Sequence, residues 1–110
     1  MEEQNDGNTN ISALKTHVQK FIDERDWQKF QNPKDLAIAI SVEAAELLDI
    51  FKWRQTEFEK EEVEKEVADV LIYLLSLANV MNIDVTESVL EKIEINKKKY
   101  PIDKTPLWEN

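Results

Sequence analysis

Two acidic pairs in this chain have the spacing and residue type for metal-assisted chemistry: Glu43/Glu46 in VEAAEL and Glu66/Asp69 in KEVADV. Each pair is spaced i, i+3, which on an α-helix puts both side chains on one face. Between the pairs lies FKWRQTEF, residues 51–58, the natural place for a turn; Glu46 is ten residues before Thr56 and Glu66 ten residues after it. If residues 33–52 and 57–81 are two antiparallel helices, both pairs stand roughly 15 Å from the bend at 1.5 Å per residue. The four carboxylates then converge across the helix–helix seam. Four like charges in one partly dry place repel, and some take up protons rather than stay ionised. A hard divalent cation such as Mg²⁺, which favours carboxylate and water oxygens, resolves the conflict. On their own Glu43 and Glu46 fit an ordinary charged helix face better than a site. Asp69 changes that balance: from Val67 to Met81 it is the only charged residue. An unpaired charge in such a setting needs a ligand, a partner or a wet cavity.

Other residues bear on what such a site could hold. Trp27, Trp53 and Tyr73 offer π faces for a base or ring, although each aromatic taken singly is more often core. Tyr73 is four residues after Asp69, one turn along the same face, so it is expected beside the carboxylates. Lys97, Lys98 and Lys99 form the one concentrated cationic patch. They suit a helix C-terminus and could equally bind phosphates. His17 is the single histidine, beside an apolar stripe, and reads as structural or exposed. No G-x-S-x-G or glycine-rich phosphate loop is present, and there is no cysteine. Serine nucleophiles, zinc–thiolate sites and disulfides therefore have no support. What remains is carboxylate-bound metal, activating a phosphoryl group and an attacking water.

The elements that must position these residues are helices. With 110 residues, one Gly and three Pro, the chain suits one all-α domain and argues against a turn-rich β fold. Residues 1–10 have no apolar period and are expected to form a disordered arm. The first helix starts near Ile11, carries Leu14, Val18, Phe21 and Ile22, and ends around Trp27. Asn32 and Pro33 open the second as N-cap and N1, with Asp35 in the first turn. Thr56-x-x-Glu59 reads as a capping box for the third, with Glu61 to Lys65 as i, i+4 support. Beyond Val67 that helix is apolar nearly all round, which predicts cover from other chains and hence a homodimer or a larger assembly. Asp84-x-x-Glu87 caps the fourth helix, which Pro101 stops. Residues 102–110 form a tail without a period, in which the place of Trp108 stays open.

A formal net charge of −9 repels a polyphosphate backbone, so no nucleic-acid polymer is expected as partner. A small anionic substrate is compatible if metal ions invert the local field. No apolar run is long enough for a membrane span, and MEEQNDGNTN lacks the regions of a signal peptide. A cytoplasmic location is the expectation.

Taken together, these residues resemble a known family. EAAE followed after nineteen residues by EVAD is similar to the E-x-x-E…E-x-x-D signature of the MazG-like, all-α nucleoside triphosphate pyrophosphohydrolases. ERDWQKFQNPKDLAIAISVEAAELLDIFKW, EVADVLIYLLSLA and INKKKYP look like the dCTP pyrophosphatase branch, over residues 11–101. The resemblance implies a helical dimer or tetramer that hydrolyses (d)NTPs to monophosphate and pyrophosphate. The substrate implied is dCTP or a modified dCTP, in nucleotide-pool house-cleaning. By the same resemblance Glu43, Glu46, Glu66 and Asp69 hold Mg²⁺ and serve catalysis. Trp27, Trp53 and Tyr73 enclose base and sugar, and Asn96 and Lys99 contribute to phosphate binding. A pocket histidine of animal relatives corresponds to Val18, with His17 one position off, and the inter-helix loop is short. The same chemistry on dUTP, general NTPs or phosphoribosyl-ATP therefore stays open, as does a non-catalytic helical module.

Overall fold

The computed structural model describes residues 3–53 and 56–102. Among them are four α-helices, α1 (Ile11–Glu24), α2 (Pro33–Phe51), α3 (Lys60–Met81) and α4 (Val85–Lys99), with one 3₁₀ turn at Gln28–Phe30. The all-α reading holds, and no strand occurs among the described residues. Trp108 and residues 103–110 lie outside them.

Helix starts follow local chemistry. Asn10 accepts from the Ala13 amide at 2.8 Å, and ahead of it residues 5–8 close a hydrogen-bonded turn. Asn32 accepts from the Asp35 amide at 2.9 Å, and Asp84 from that of Glu87 at 2.9 Å. Each satisfies one of the amides a helix leaves unpaired. The third start differs from expectation. Helix α3 begins at Lys60 with Glu59 as N-cap and no side-chain cap bond, so Thr56 does not close a box. The physical reason lies in the bend, where Phe58 packs edge-on against Phe51 with ring centroids 4.8 Å apart. That contact holds the chain extended until Glu59. The charged support also shifts register, pairing Lys60 with Glu64 at 3.8 Å instead of Glu61 with Lys65.

Two helix ends use left-handed residues that are not glycine, Asp26 at φ 55° and Asn82 at φ 54°. At the first, the amides of Asp26 and Trp27 return to the carbonyls of Asp23 and Ile22. The amides of Asn82 and Ile83 return likewise to Asn79 and Ala78. Both are Schellman closures. Helix α1 thus ends at Glu24, three residues before Trp27.

Helices α2 and α3 form the central packed pair. Phe51 meets Phe58 near the bend and Glu43/Glu46 meet Glu66 farther from it, so the pair is antiparallel. Helix α1 lies on α3, tied by Lys15 Nζ donating to Ile83 O and Asn79 Nδ2 donating to Lys15 O. Among the described residues the buried apolar set is small: Val18, Ile22, Leu36, Ile50, Leu75 and Ala78. The axis turns through 102° between α3 and α4, and α4 buries no residue. Ile38, Val42 and Leu48 on α2, Leu71 and Leu74 on α3, and Val89, Leu90 and Ile93 on α4 are all exposed. No single helix among the described residues is long and apolar enough to cross a membrane.

Candidate active site

Glu43 and Glu46 stand one turn apart on α2, and Glu66 faces them from α3. One oxygen from each lies within 4.8 Å of the others. Glu46 is exposed, while Glu43 and Glu66 are half-buried. Glu43 Oε2 and Glu66 Oε2 are sheltered from solvent and have no hydrogen-bond partner. An orphaned, desolvated carboxylate oxygen is unfavourable. Burial pushes the Glu43 carboxyl up from 4.5 to about 7, helped by a hydrogen bond with Glu46 and by the charges of Glu46, Asp69 and Glu66. Two empty acceptor sites among crowded acids suit a hard divalent cation with oxygen ligands. The donor set fits such an ion, and it contains no nitrogen or sulfur that would favour a softer one.

Asp69 follows Glu66 by one turn. It is not one of the three converging residues, although its charge reaches Glu43. Within this chain Asp69 is exposed. The apolar residues around it, Val67, Leu71 and Ile72, are exposed as well.

Beside Asp69 opens a cavity of about 470 Å³, lined by Phe21, Ile22, Trp27, Phe30, Gln31, Asp35, Leu36, Ala39, Asp69, Ile72, Tyr73 and Ser76. Its aromatic wall depends on how α1 ends. The Schellman closure turns Trp27 back so that its ring meets Phe21 edge-on at 5.7 Å. Helix α3 supplies the opposite wall, since Asp69, Tyr73 and Ser76 recur at positions i, i+4 and i+7 of one face. Asp69 therefore links the carboxylates to the aromatic chamber.

Trp27 and Tyr73 line this chamber, whereas Trp53, 87 % exposed, does not. Lys52 Nζ lies 5.7 Å from the Trp53 ring. Asn96 and Lys99, at the end of α4, also stand apart from the cavity. His17 is exposed and Val18 is core. Sequence reasoning did not pick out Phe30, Gln31, Asp35 and Ser76 as lining residues. The i+7 spacing from Asp69 was the available signal for Ser76; Gln31 carried none.

Known proteins resemble this chain in sequence and fold. The sequence profile of the MazG-like family matches residues 38–109. The chain is 35 % identical over 91 residues to dCTP pyrophosphatase 1 of Homo sapiens, covering 74 % of this chain and 54 % of that protein. The Bos taurus dCTP pyrophosphatase 1 is 34 % identical over 92 residues, covering 76 % and 54 %. The chain thus spans about half the length of these relatives. A crystal structure of a pyrophosphatase from Archaeoglobus fulgidus superposes with a TM-score of 0.74 at 40 % identity, covering 92 % of this chain and 98 % of that one. The matched segment includes all four acids and the α2–α3 pair that brings three of them together, and on those grounds the chain belongs to the MazG-like family.

Proposed function

We propose that this chain hydrolyses nucleoside triphosphates between the α and β phosphates, with dCTP or a modified dCTP as substrate and Mg²⁺ as cofactor. The observation that carries the reading is the pair of unpartnered, sheltered oxygens on Glu43 and Glu66, one helical turn from an aromatic cavity. Glu43, Glu46, Glu66 and Asp69 would hold the cation. When bound, it supplies Lewis-acid polarisation of the phosphoryl oxygens and offsets the repulsion among the acids.

The chain's own residues do the rest. Trp27 and Tyr73 present faces for the base, and Trp53 adds a third once a neighbouring chain or the substrate draws it in. Water attacks the α-phosphorus in line, a carboxylate of the cluster takes its proton, and pyrophosphate leaves. Asn96 and Lys99 serve the departing phosphates. Exposed apolar residues on α2, α3 and α4 support assembly into a homodimer or homotetramer. A 15-residue helix with nothing buried is marginal by itself, which is why α4 needs that assembly. A cytoplasmic setting, where nucleotide pools reside, completes the reading.

A panel of dNTPs and NTPs incubated with Mg²⁺ tests it. Monophosphate and pyrophosphate should accumulate, with the highest kcat/KM for a cytosine nucleotide, and should not accumulate with Glu43→Gln. Preference for dUTP would move the substrate within the same chemistry. Tight nucleotide binding without turnover would leave a non-catalytic module.

A further inference from the structure

We propose that Ser76 is a specificity-determining residue that hydrogen-bonds the polar edge of the substrate's nucleobase; this rests on the nucleotide reading above. Ser76 is 3 % exposed and lines the cavity that Asp69 joins to the carboxylates. Along α3 the rise from residue 69 to residue 76 is about 10 Å, close to the span from a nucleoside's 5′ phosphate to the far edge of its base. With the α-phosphate beside Asp69 and the base against Trp27 and Tyr73, the polar edge of the base reaches Ser76.

The hydroxyl is available for that contact. Helical hydroxyls commonly bond the carbonyl one turn back, as Thr16 does to Ser12 O and Ser41 to Ala37 O, both at 3.1 Å. Ser76 Oγ makes no hydrogen bond to a protein group among the described residues. The residue lines the cavity, and alanine would serve the helix better at this position. Of the other lining residues, Leu36 and Ile72 offer the base no polar atom, and Gln31 and Asp35 stand on the α2 side of the cavity rather than on the α3 face that carries Asp69 and Tyr73. The hydroxyl both donates and accepts, so it accommodates an amino or a carbonyl edge. It thus favours a true nucleobase over a phosphosugar lacking one. A site built to hydrogen-bond its substrate discriminates strongly against an analogue without the matching group.

Calorimetric binding of dCMP and of base-free deoxyribose 5-phosphate, each with Mg²⁺, tests the assignment on wild type, Ser76→Ala and Ser76→Cys. Cysteine fills the space with a much weaker donor, and thermal melts establish that both variants fold. The expected result is about a tenfold loss of dCMP affinity in both variants, with the base-free ligand unaffected. In turnover the loss should fall on KM for dCTP and leave kcat near wild type. Equal losses for both ligands, or full affinity in Ser76→Cys, would overturn the assignment in favour of a packing role. If wild type neither binds dCMP nor turns over any triphosphate, the nucleotide reading itself has failed. If wild type does both and Ser76→Ala matches it, only the role of Ser76 has.

Discussion

Glu43 and Glu66, on adjacent antiparallel helices, each shelter one carboxylate oxygen that no protein group satisfies. Burial, with the charges of Glu46, Asp69 and Glu66 adding to it, pushes the Glu43 carboxyl up to about 7. Folding alone gains nothing from this pairing. A cation that replaces the proton does, so the cost in the free chain is evidence for what the site holds.

Removing one of these charges should therefore separate stability from function. Glu43→Gln and Glu66→Gln are expected to melt at or above wild type without metal, because repulsion and desolvation are relieved. Both should lose the stabilisation by added Mg²⁺ that binding to the folded state provides. Activity should fall on the order of 100-fold or more. Thermal melts with and without Mg²⁺, paired with a pyrophosphate-release assay, check both halves.

The proton on Glu43 sets a pH dependence with a definite sign. Its carboxyl is raised in the fold, so its contribution to stability is complete below the ordinary value of 4.5 and is lost as pH rises through about 7. Metal-free protein should melt progressively lower between about pH 5 and about pH 8. Magnesium binding needs the ionised form, so its affinity should rise over the same window. Glu43→Gln should flatten the part of both trends that Glu43 causes.

Trp27 is held against Phe21 by the turn at Asp26. Trp27→Ala should raise KM roughly tenfold or more, the scale of one lost base stack, with a smaller effect on kcat. Asp26→Val should destabilise by about 1–2 kcal/mol, since a β-branched residue resists the left-handed region. It should also weaken nucleotide binding through displacement of the indole. Asp26→Gly, which tolerates that backbone, should restore both.

Helix α4 tests the assembly. Leu90 and Ile93 are exposed in the single chain. If a second copy covers them, Leu90→Glu should shift the protein to a smaller species in sedimentation and lower its melting temperature. If Leu90→Glu leaves mass and melting unchanged, that face is not the interface.

The helices and the acidic signature were legible because their signals are local. Asn10, Asn32 and Asp84 act through amides three residues away, and Glu43/Glu46 share a face by spacing alone. The Thr56 box failed because a contact across the bend, Phe51 with Phe58, outweighed a local cap. The end of α1 was misplaced because Asp26 takes a conformation usually signalled by glycine. Asp69 stood out because it is the one charge in an apolar run, and it lines a cavity while this chain leaves Leu71 and Ile72 open. Ser76 shares a helix face with Asp69 by spacing, whereas Phe30 joins the cavity lining only through the packing of the turn after α1, which no short motif encodes.

The most direct test of the central claim is to follow dCTP hydrolysis with Mg²⁺ in heavy-oxygen water and locate the label. dCMP should carry one heavy oxygen together with unlabelled pyrophosphate, and Glu66→Gln should be slower on the order of 100-fold or more. Label in pyrophosphate or free phosphate, or Glu66→Gln turning over near the wild-type rate, would contradict the proposed site.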